Sequence, residues 1–171
     1  MLKKQIDVFD YAGHICKALK PNGVLLTTSS NGFVNTMTIG WGTLGVDWSR
    51  PMFIVYVRKS RYTHLMLQEN PEFTVNIPIG EVDKHILGIC GSRSGRDMDK
   101  IASLGLHLVP SDVVCVPGIQ ELPLTLECKV LYTQDQDLSG IPEDILSRYY
   151  PDGDEHTVYY GQIVNAYIIQ A

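Results

Sequence analysis

"FVNTMTIGWGTLGVDWSRPMFIVYVRKSRYTHLMLQENPEFTVNIP", residues 33–78, decides the architecture because its hydrophobic period changes twice. Residues 33–46 and 51–58 are rich in β-branched and aromatic side chains and are parted by the turn-like "DWSRP", so they read as successive antiparallel strands. In residues 62–70, Leu65, Met66 and Leu67 sit between polar flanks and the run stops at Asn70-Pro71. Proline lacks an N–H and disfavours the helical region for its predecessor, so this is a short, terminated helix. Residues 72–78 return to period two, with Phe73, Val75 and Ile77 opposed to Glu72, Thr74 and Asn76.

Upstream, "GVLLTTSS" (23–30) is a further strand, joined to residue 33 through Asn31-Gly32. Downstream, residues 81–91 and 97–106 read as helices around the polar loop "SRSGR" (92–96). Residues 122–134 alternate Leu126, Cys128, Val130 and Tyr132 with Thr125, Glu127, Lys129 and Leu131, and 157–169 make a last strand. Between them "SGIPEDILSRYYPDGDEH" is acidic and rich in Gly and Pro, a surface excursion with room for one helical turn. At least six strands with short helices inserted between them predict a mainly β fold, an antiparallel barrel closed or nearly so, in one domain spanning 1–171. The chain has no internal repeat and no G-x-G-x-x-G, which removes the usual sequence signature of a doubly wound nucleotide fold.

Composition narrows the function classes. The chain has 171 residues, 44% hydrophobic and 19% charged, and a formal charge of −5, which disfavours nucleic acid as a partner. No window reaches the roughly 18–20 apolar residues of a membrane helix. The N-terminus meets Asp7, Asp10 and His14 where a signal peptide would be apolar, so a cytoplasmic location is expected. Cys16, Cys90, Cys115 and Cys128 are far apart, with no metal-ligand spacing, and are expected as small buried thiols. With no G-x-S-x-G and no local Cys, His and acid arrangement, nucleophilic catalysis has little support. A polypeptide so poor in reactive groups suits chemistry carried by a cofactor.

Three stretches stand out. Arg58, Lys59 and Arg61 gather beside Ser60 and Thr63 where a strand gives way to a helix. Free amides at the helix start, hydroxyls and arginine forks together make an anion seat, and ordinary N-capping by Ser60 or Thr63 under solvated cations is the competing reading. In "NTMTIGW" (35–41), Asn35, Thr36 and Thr38 offer polar donors, and Gly40 and Gly42 flank Trp41, which suits a flat ligand as well as a half-exposed strand with a buried Trp. "CGSRSGRDMDK" (90–100) is a donor-rich loop, a lid or a solvated turn, with Asp97 as a candidate cap of the next helix. His156 lies among Asp152, Asp154 and Glu155, which favours its protonated form.

Taken in order, "NTMTIGWGTLGVDWSRPMFIVYVRKSRYTHLMLQENPEFTVNIP", "CGSRSGRDMDKIASLGL", "PLTLECKV" and "HTVYYGQIV" resemble the flavin reductase-like, FMN-binding split-barrel family, its flavoredoxin-like branch in particular. The resemblance implies a six-stranded antiparallel split barrel, a homodimer and bound FMN, with NADH or NADPH as candidate electron donors. It assigns the ring and ribityl chain to Asn35, Thr36, Met37, Thr38 and Trp41, and the phosphate to Arg58, Ser60, Arg61 and Thr63. Ser92, Ser94 and Arg96 follow from the "SGRD" loop, and His156 holds a weaker claim to guide substrate or relay a proton. The activity implied is NAD(P)H:flavin reduction or flavoredoxin-like electron transfer, with a redox protein as a candidate partner. A flavin-binding module without nicotinamide-dependent turnover is the alternative.

Overall fold

The structure is a computed structural model that describes residues 2–170. Its strands are β1 (Leu2–Gln5), β2 (Val24–Ser30), β3 (Phe33–Ile39), β4 (Gly42–Asp47), β5 (Arg50–Arg58), β6 (Glu72–Ile77), β7 (Leu108–Val109), β8 (Gly118–Ile119), β9 (Leu124–Asp135) and β10 (His156–Gln170). The helices are α1 (Ala12–Leu19), α2 (Tyr62–Glu69), α3 (Lys84–Ser92), α4 (Lys100–Leu104) and α5 (Glu143–Tyr149). One antiparallel sheet runs in the order β3-β2-β6-β9-β10-β5-β4, with β1 also on β10, and β7 and β8 form a separate ribbon. This is the expected split barrel with short helices inserted between strands.

Apart from the short β7–β8 ribbon, the main sheet has eight strands where six were expected, for two reasons. Residues 33–46 are not one strand, because the chain breaks at Gly40-Trp41 and sends β3 and β4 to opposite ends of the strand order. A Cβ on Gly42 would stand 2.9 Å from the Phe53 ring, so the glycine lets the chain cross tightly over the core at the break. The second addition, β1, has a polar sequence and earns its place through backbone pairing alone, Leu2 opposite Gln170 through Gln5 opposite Tyr167. β10 is the organising strand. It pairs with β9 along most of its length, with β5 over its first half and with β1 at its end; register shifts with β9 leave an extra residue in β9 (Leu131) opposite Tyr160/Gly161 and one in β10 (Val164) between Ile163 and Asn165, which bends the pair between these partners.

The main core gathers Val24, Leu26, Phe53, Val55, Phe73, Val75, Leu126 and Tyr159 inside the curl. The opposite face of β2, β6 and β9 is not solvated. Leu25, Ile86, Leu87, Cys90, Ile119 and Leu122 form a second cluster over it, and its polar residues are sealed beneath. They satisfy one another: Thr27 Oγ1 lies 2.9 Å from Asn76 Oδ1 and 3.0 Å from Thr36 Oγ1, and the Asn76 amide donates to Thr125 Oγ1. Buried Glu127 accepts the N–H groups of Asp112, Val113 and Val114 and the Asn165 amide, tying the loop before β8 to the sheet. A buried carboxylate without such donors is strongly unfavourable, so this network replaces the water it lost.

Several expectations are corrected here. Cys90 and Cys128 are buried thiols, but Cys16 and Cys115 are exposed. Asp99, not Asp97, caps α4 by accepting from the Ala102 N–H at 3.0 Å, so that helix starts later than its sequence pattern suggests. The excursion before β10 holds a two-turn helix, α5, where one turn was expected.

Candidate functional site

The start of α2 is uncapped. Arg61 occupies the N-cap position in an extended conformation and no side chain bonds to the first turn. Ser60, expected to cap it, instead gives its N–H and hydroxyl to the Asp154 carboxylate at 3.1 and 2.7 Å. Arg61 and His64 give their N–H groups to the carbonyls of Arg58 and Arg61, each at 3.0 Å, which leaves the amides of Tyr62 and Thr63 to whatever lies in front of them, and the helix dipole adds partial positive charge there.

In front of them is a cavity of about 120 Å³, with Arg61, Arg93, Arg96 and Lys100 on its walls; among the described residues no Asp or Glu lines it. Lys100 is 3% exposed, and its ammonium donates only to the carbonyls of Cys90 (3.5 Å) and Arg93 (3.2 Å). Burial lowers its pKa below the ordinary lysine value, a neighbouring Cys90 thiolate would oppose that, and Arg61 adds to it. Burial in turn pushes the Cys90 thiol up to about 11, so at neutral pH it supplies no such charge. Cations gathered without a counter-charge around free amides form a seat for an anion.

The loop after α3 roofs this cavity. Arg96 donates to the Ser60 carbonyl at 3.0 Å and lies over the Tyr62 ring, 5.5 Å from its centroid. Gly95 rests directly on the buried Asn35 amide, whose nitrogen donates to Thr63 Oγ1 at 3.2 Å. A Cβ at Gly95 would stand 2.2 Å from Asn35 Oδ1 and 3.0 Å from the Tyr62 ring. Gly95→Ala is therefore expected to lift the roof without unfolding the barrel, weakening anion binding roughly tenfold, about 1.4 kcal/mol. An unchanged affinity for inorganic phosphate or FMN, by calorimetry, would show that the loop is no part of the seat.

A second cavity, about 170 Å³, adjoins the first through the shared walls Met37 and Arg61. It runs along the end of β3 past Thr38 and Gly40 to Trp41, with Tyr56, Arg58 and His156 opposite. Thr38 donates to the Leu87 carbonyl at 2.7 Å, which holds α3 against β3 and leaves the hydroxyl oxygen able to accept. Arg58 donates to the carbonyls of Tyr149 (2.6 Å) and Asp154 (2.8 Å) and lies over the Tyr150 ring. Together with Ser60 and Asp154 it pins the whole 136–155 excursion against the end of β5.

His156 is buried, not the exposed cation its acidic neighbours suggested. Desolvation, with Arg58 and Arg61, brings its pKa down to about 4 against the opposing pull of Asp154. Its Nδ1 lies 2.9 Å from the Tyr150 hydroxyl, which donates its proton to Gln136 Oε1 at 2.8 Å. In the neutral ring Nδ1–H is thus the donor to Tyr150, and Nε2 keeps its lone pair. The ring also leans on Trp41, 5.2 Å between centroids.

Of the residues assigned to the flavin from sequence, all but Thr36 and Ser92 line one cavity or the other, whereas Lys59, the third cation of the cluster, lines neither and is ion-paired with Asp135 and Glu155 at 2.8 Å each. Thr36 points into the sealed polar layer, bonded to Thr27 and the Leu26 carbonyl, because alternate residues of a strand face opposite ways. Ser92 ends α3 and returns its hydroxyl to the Gly88 carbonyl. Tyr56, Arg93 and Lys100 line the groove without having been singled out. Arg93, in the loop already recognised as rich in donors, was within reach of the same argument that picked Arg96.

The profile of the flavin reductase like domain matches residues 19–171. The chain belongs to the flavin reductase-like family. Two curated relatives, both uncharacterised, come from Archaeoglobus fulgidus (37% identity over 97 residues, 57% of this chain and 54% of that protein) and Pyrococcus abyssi (31% over 120 residues, 70% and 67%). The match thus spans about half the length of the Archaeoglobus protein. Among solved structures, this flavin reductase-like chain is similar to the flavoredoxin of Desulfovibrio vulgaris (TM-score 0.66, 25% identity, 86% of this chain and 69% of that one) and to a flavoredoxin from Methanosarcina acetivorans (TM-score 0.65, 28% identity, 86% and 69%).

Proposed function

We propose that the joined cavities hold FMN and that the protein is an FMN-dependent oxidoreductase, an NAD(P)H:flavin reductase or a flavoredoxin-like electron carrier, working as a homodimer. The observation that carries this reading is the unpaired cationic seat at an uncapped helix start, continuous with a second cavity walled by Trp41, Tyr56 and the glycine break. The donor set fits a flavin mononucleotide: a phosphate for one end, a flat heteroaromatic ring and a polyol for the other. Family membership and the similarity to two flavoredoxins support the same assignment.

In this reading the first-turn amides of α2, Arg61, Arg96, Ser94 and Lys100 take the phosphate. Asn35, Met37 and Thr38 follow the ribityl chain and the polar ring edge, and Trp41 bounds the ring's end of the groove. Arg58 and Ser60, whose donors are already spent on the excursion, act by holding that wall in position. Bound FMN supplies hydride and single-electron chemistry, so the polypeptide has only to bind, orient and exclude water. A neutral His156 fixed by Tyr150 suits an orienting or hydrogen-bonding role better than a general acid at neutral pH. For the dimer, exposed Val46, Trp48, Leu131 and Tyr132 on the outer face of the sheet offer apolar surface.

The test is an absorbance spectrum of protein loaded with FMN and freed of excess, followed without oxygen by NADH and then NADPH. A retained flavin band is expected. Bleaching by either nucleotide makes the protein a reductase and identifies its donor; a stable band excludes the reductase and leaves a flavoredoxin-like carrier with a protein donor or a flavin-binding module without nicotinamide-dependent turnover. Absence of a retained band at any loading concentration would sink the reading.

A further inference from the structure

A larger cavity, about 810 Å³, lies on the far side of Trp41 from the anion seat. Its walls come from the end of α1, the β3–β4 break, Tyr56 and the excursion before β10, and they include Leu19, Trp41, Tyr56, Ile141, Ile145 and Tyr149. It shares Gly40, Trp41 and Tyr56 with the groove proposed for flavin, so an occupant would sit against the same wall. Its chemistry is opposite to that of the groove. Among the described residues no Lys, Arg, Asp or Glu lines it, whereas the groove has Arg58 and Arg61.

We propose that this cavity binds an uncharged aromatic molecule of one or two rings. Trp41 and Tyr149 meet edge to face at 5.2 Å and 79°, giving two differently oriented aromatic walls against which a further ring can stack or tilt. Besides the Cys16 thiol, the polar side chains on its walls are few: the Gln136 amide with the Tyr150 hydroxyl bonded to it, and the Tyr56 hydroxyl, which meets Thr43. Such a site orients one hydroxyl or carbonyl of an otherwise apolar ligand. A dinucleotide is disfavoured here because its pyrophosphate would meet no cation on the walls, and the α5 start that borders the cavity carries Glu143 and Asp144 in its first turn. The volume falls within the roughly 300–1,000 Å³ of sites for small organic ligands. As a statement about binding this stands without flavin; as a statement that the occupant is the electron acceptor it rests on the reading above. In that role the occupant would be a quinone or aryl carbonyl of this class, gaining a hydride equivalent and a solvent proton, with bound FMN as the source of both electrons.

Calorimetry with naphthol and with naphthalenesulfonate, run on the wild type, Ile145→Glu and Ile145→Val, tests the proposal, with FMN uptake measured in parallel by flavin fluorescence. Ile145 is 40% exposed on the outer edge of α5, so the substitutions leave the barrel core alone. Naphthol is expected to bind wild type and Ile145→Val within about twofold of each other. Ile145→Glu should weaken it, and the sulfonate should bind wild type more weakly, each by roughly tenfold or more, since a charge must then be desolvated. FMN uptake should not change among the three. Equal binding of naphthol and sulfonate, indifference to Ile145→Glu, or no naphthol binding would overturn the proposal. So would dissociation of a wild-type dimer by Ile145→Glu without naphthol binding, which would make the cavity a contact between copies. Loss of FMN uptake throughout with naphthol binding intact would instead reject the flavin reading alone.

Discussion

Replacing Lys100 by Met is expected to leave the free protein no less stable and to cost about 2–4 kcal/mol of FMN affinity, with riboflavin binding nearly unchanged. The two halves of this result have one cause. Lys100 is almost completely buried, faces Arg61, and has only carbonyl oxygens to donate to. In the free protein its ammonium is desolvated without a counter-charge, which is unfavourable, and Met fills similar volume without it. Two carbonyls lose a donor in exchange, which offsets part of the gain. A phosphate in front of it changes the balance, because the ammonium then faces a dianion in a water-poor site.

The pH dependence follows with its sign. Burial holds the folded pKa of Lys100 below its value in the unfolded chain. Its contribution to stability is therefore present above the unfolded lysine range and lost as pH falls through the lowered folded value. FMN, which favours the charged form, should bind more weakly as pH rises through that lowered value, before ordinary lysines titrate. The Met variant should lack both dependences. Urea midpoints and fluorescence titrations with the two flavins across alkaline pH measure them. A less stable variant that loses both flavins equally would make Lys100 a strut under the loop, not part of the seat.

Lys100 also shows where sequence reading stops. In "DMDKIASL" it looks like a solvated residue in the first turn of a helix, and nothing local says that α4 presses it under the 93–96 loop. The cluster Arg58, Ser60, Arg61 and Thr63 was legible because like charges beside hydroxyls at a strand-to-helix change are unusual in an acidic chain. The partition within it was not. Arg58 and Ser60 are engaged by Asp154, some 94–96 positions away, and Arg61 is left facing the cavities. The acidic neighbours likewise misled the reading of His156, since Asp154 is committed to Ser60 and Glu155 to Lys59, and burial governs the ring. Strands built of β-branched runs, β2, β5 and β6, were readable almost to the residue. β1 was not, because four mostly polar residues carry no period and pair only through their backbone. The break at Gly40-Trp41 was visible as glycines but not as a boundary, since only the third dimension separates β3 from β4.

Arg61→Ala carries the second large expectation, a loss of about 1.5–3 kcal/mol in FMN affinity with riboflavin affected far less. The side chain stands at the junction of the two cavities and lines both, at the N-cap of α2 where the free amides converge. It is exposed, and among the described residues it forms no ion pair, so its removal leaves no buried partner behind and the fold should be indifferent. The whole effect should then appear in binding, and only for a ligand that carries the phosphate. Added salt should narrow the difference between wild type and variant, because the guanidinium is reachable by solvent, whereas the Lys100 effect should resist salt. Arg61→Lys should restore part of the affinity, keeping the charge but losing the planar fork. Equal weakening of FMN and riboflavin would move Arg61 away from the phosphate and onto the ring, and the seat would then rest on Lys100, Arg96 and the helix amides alone.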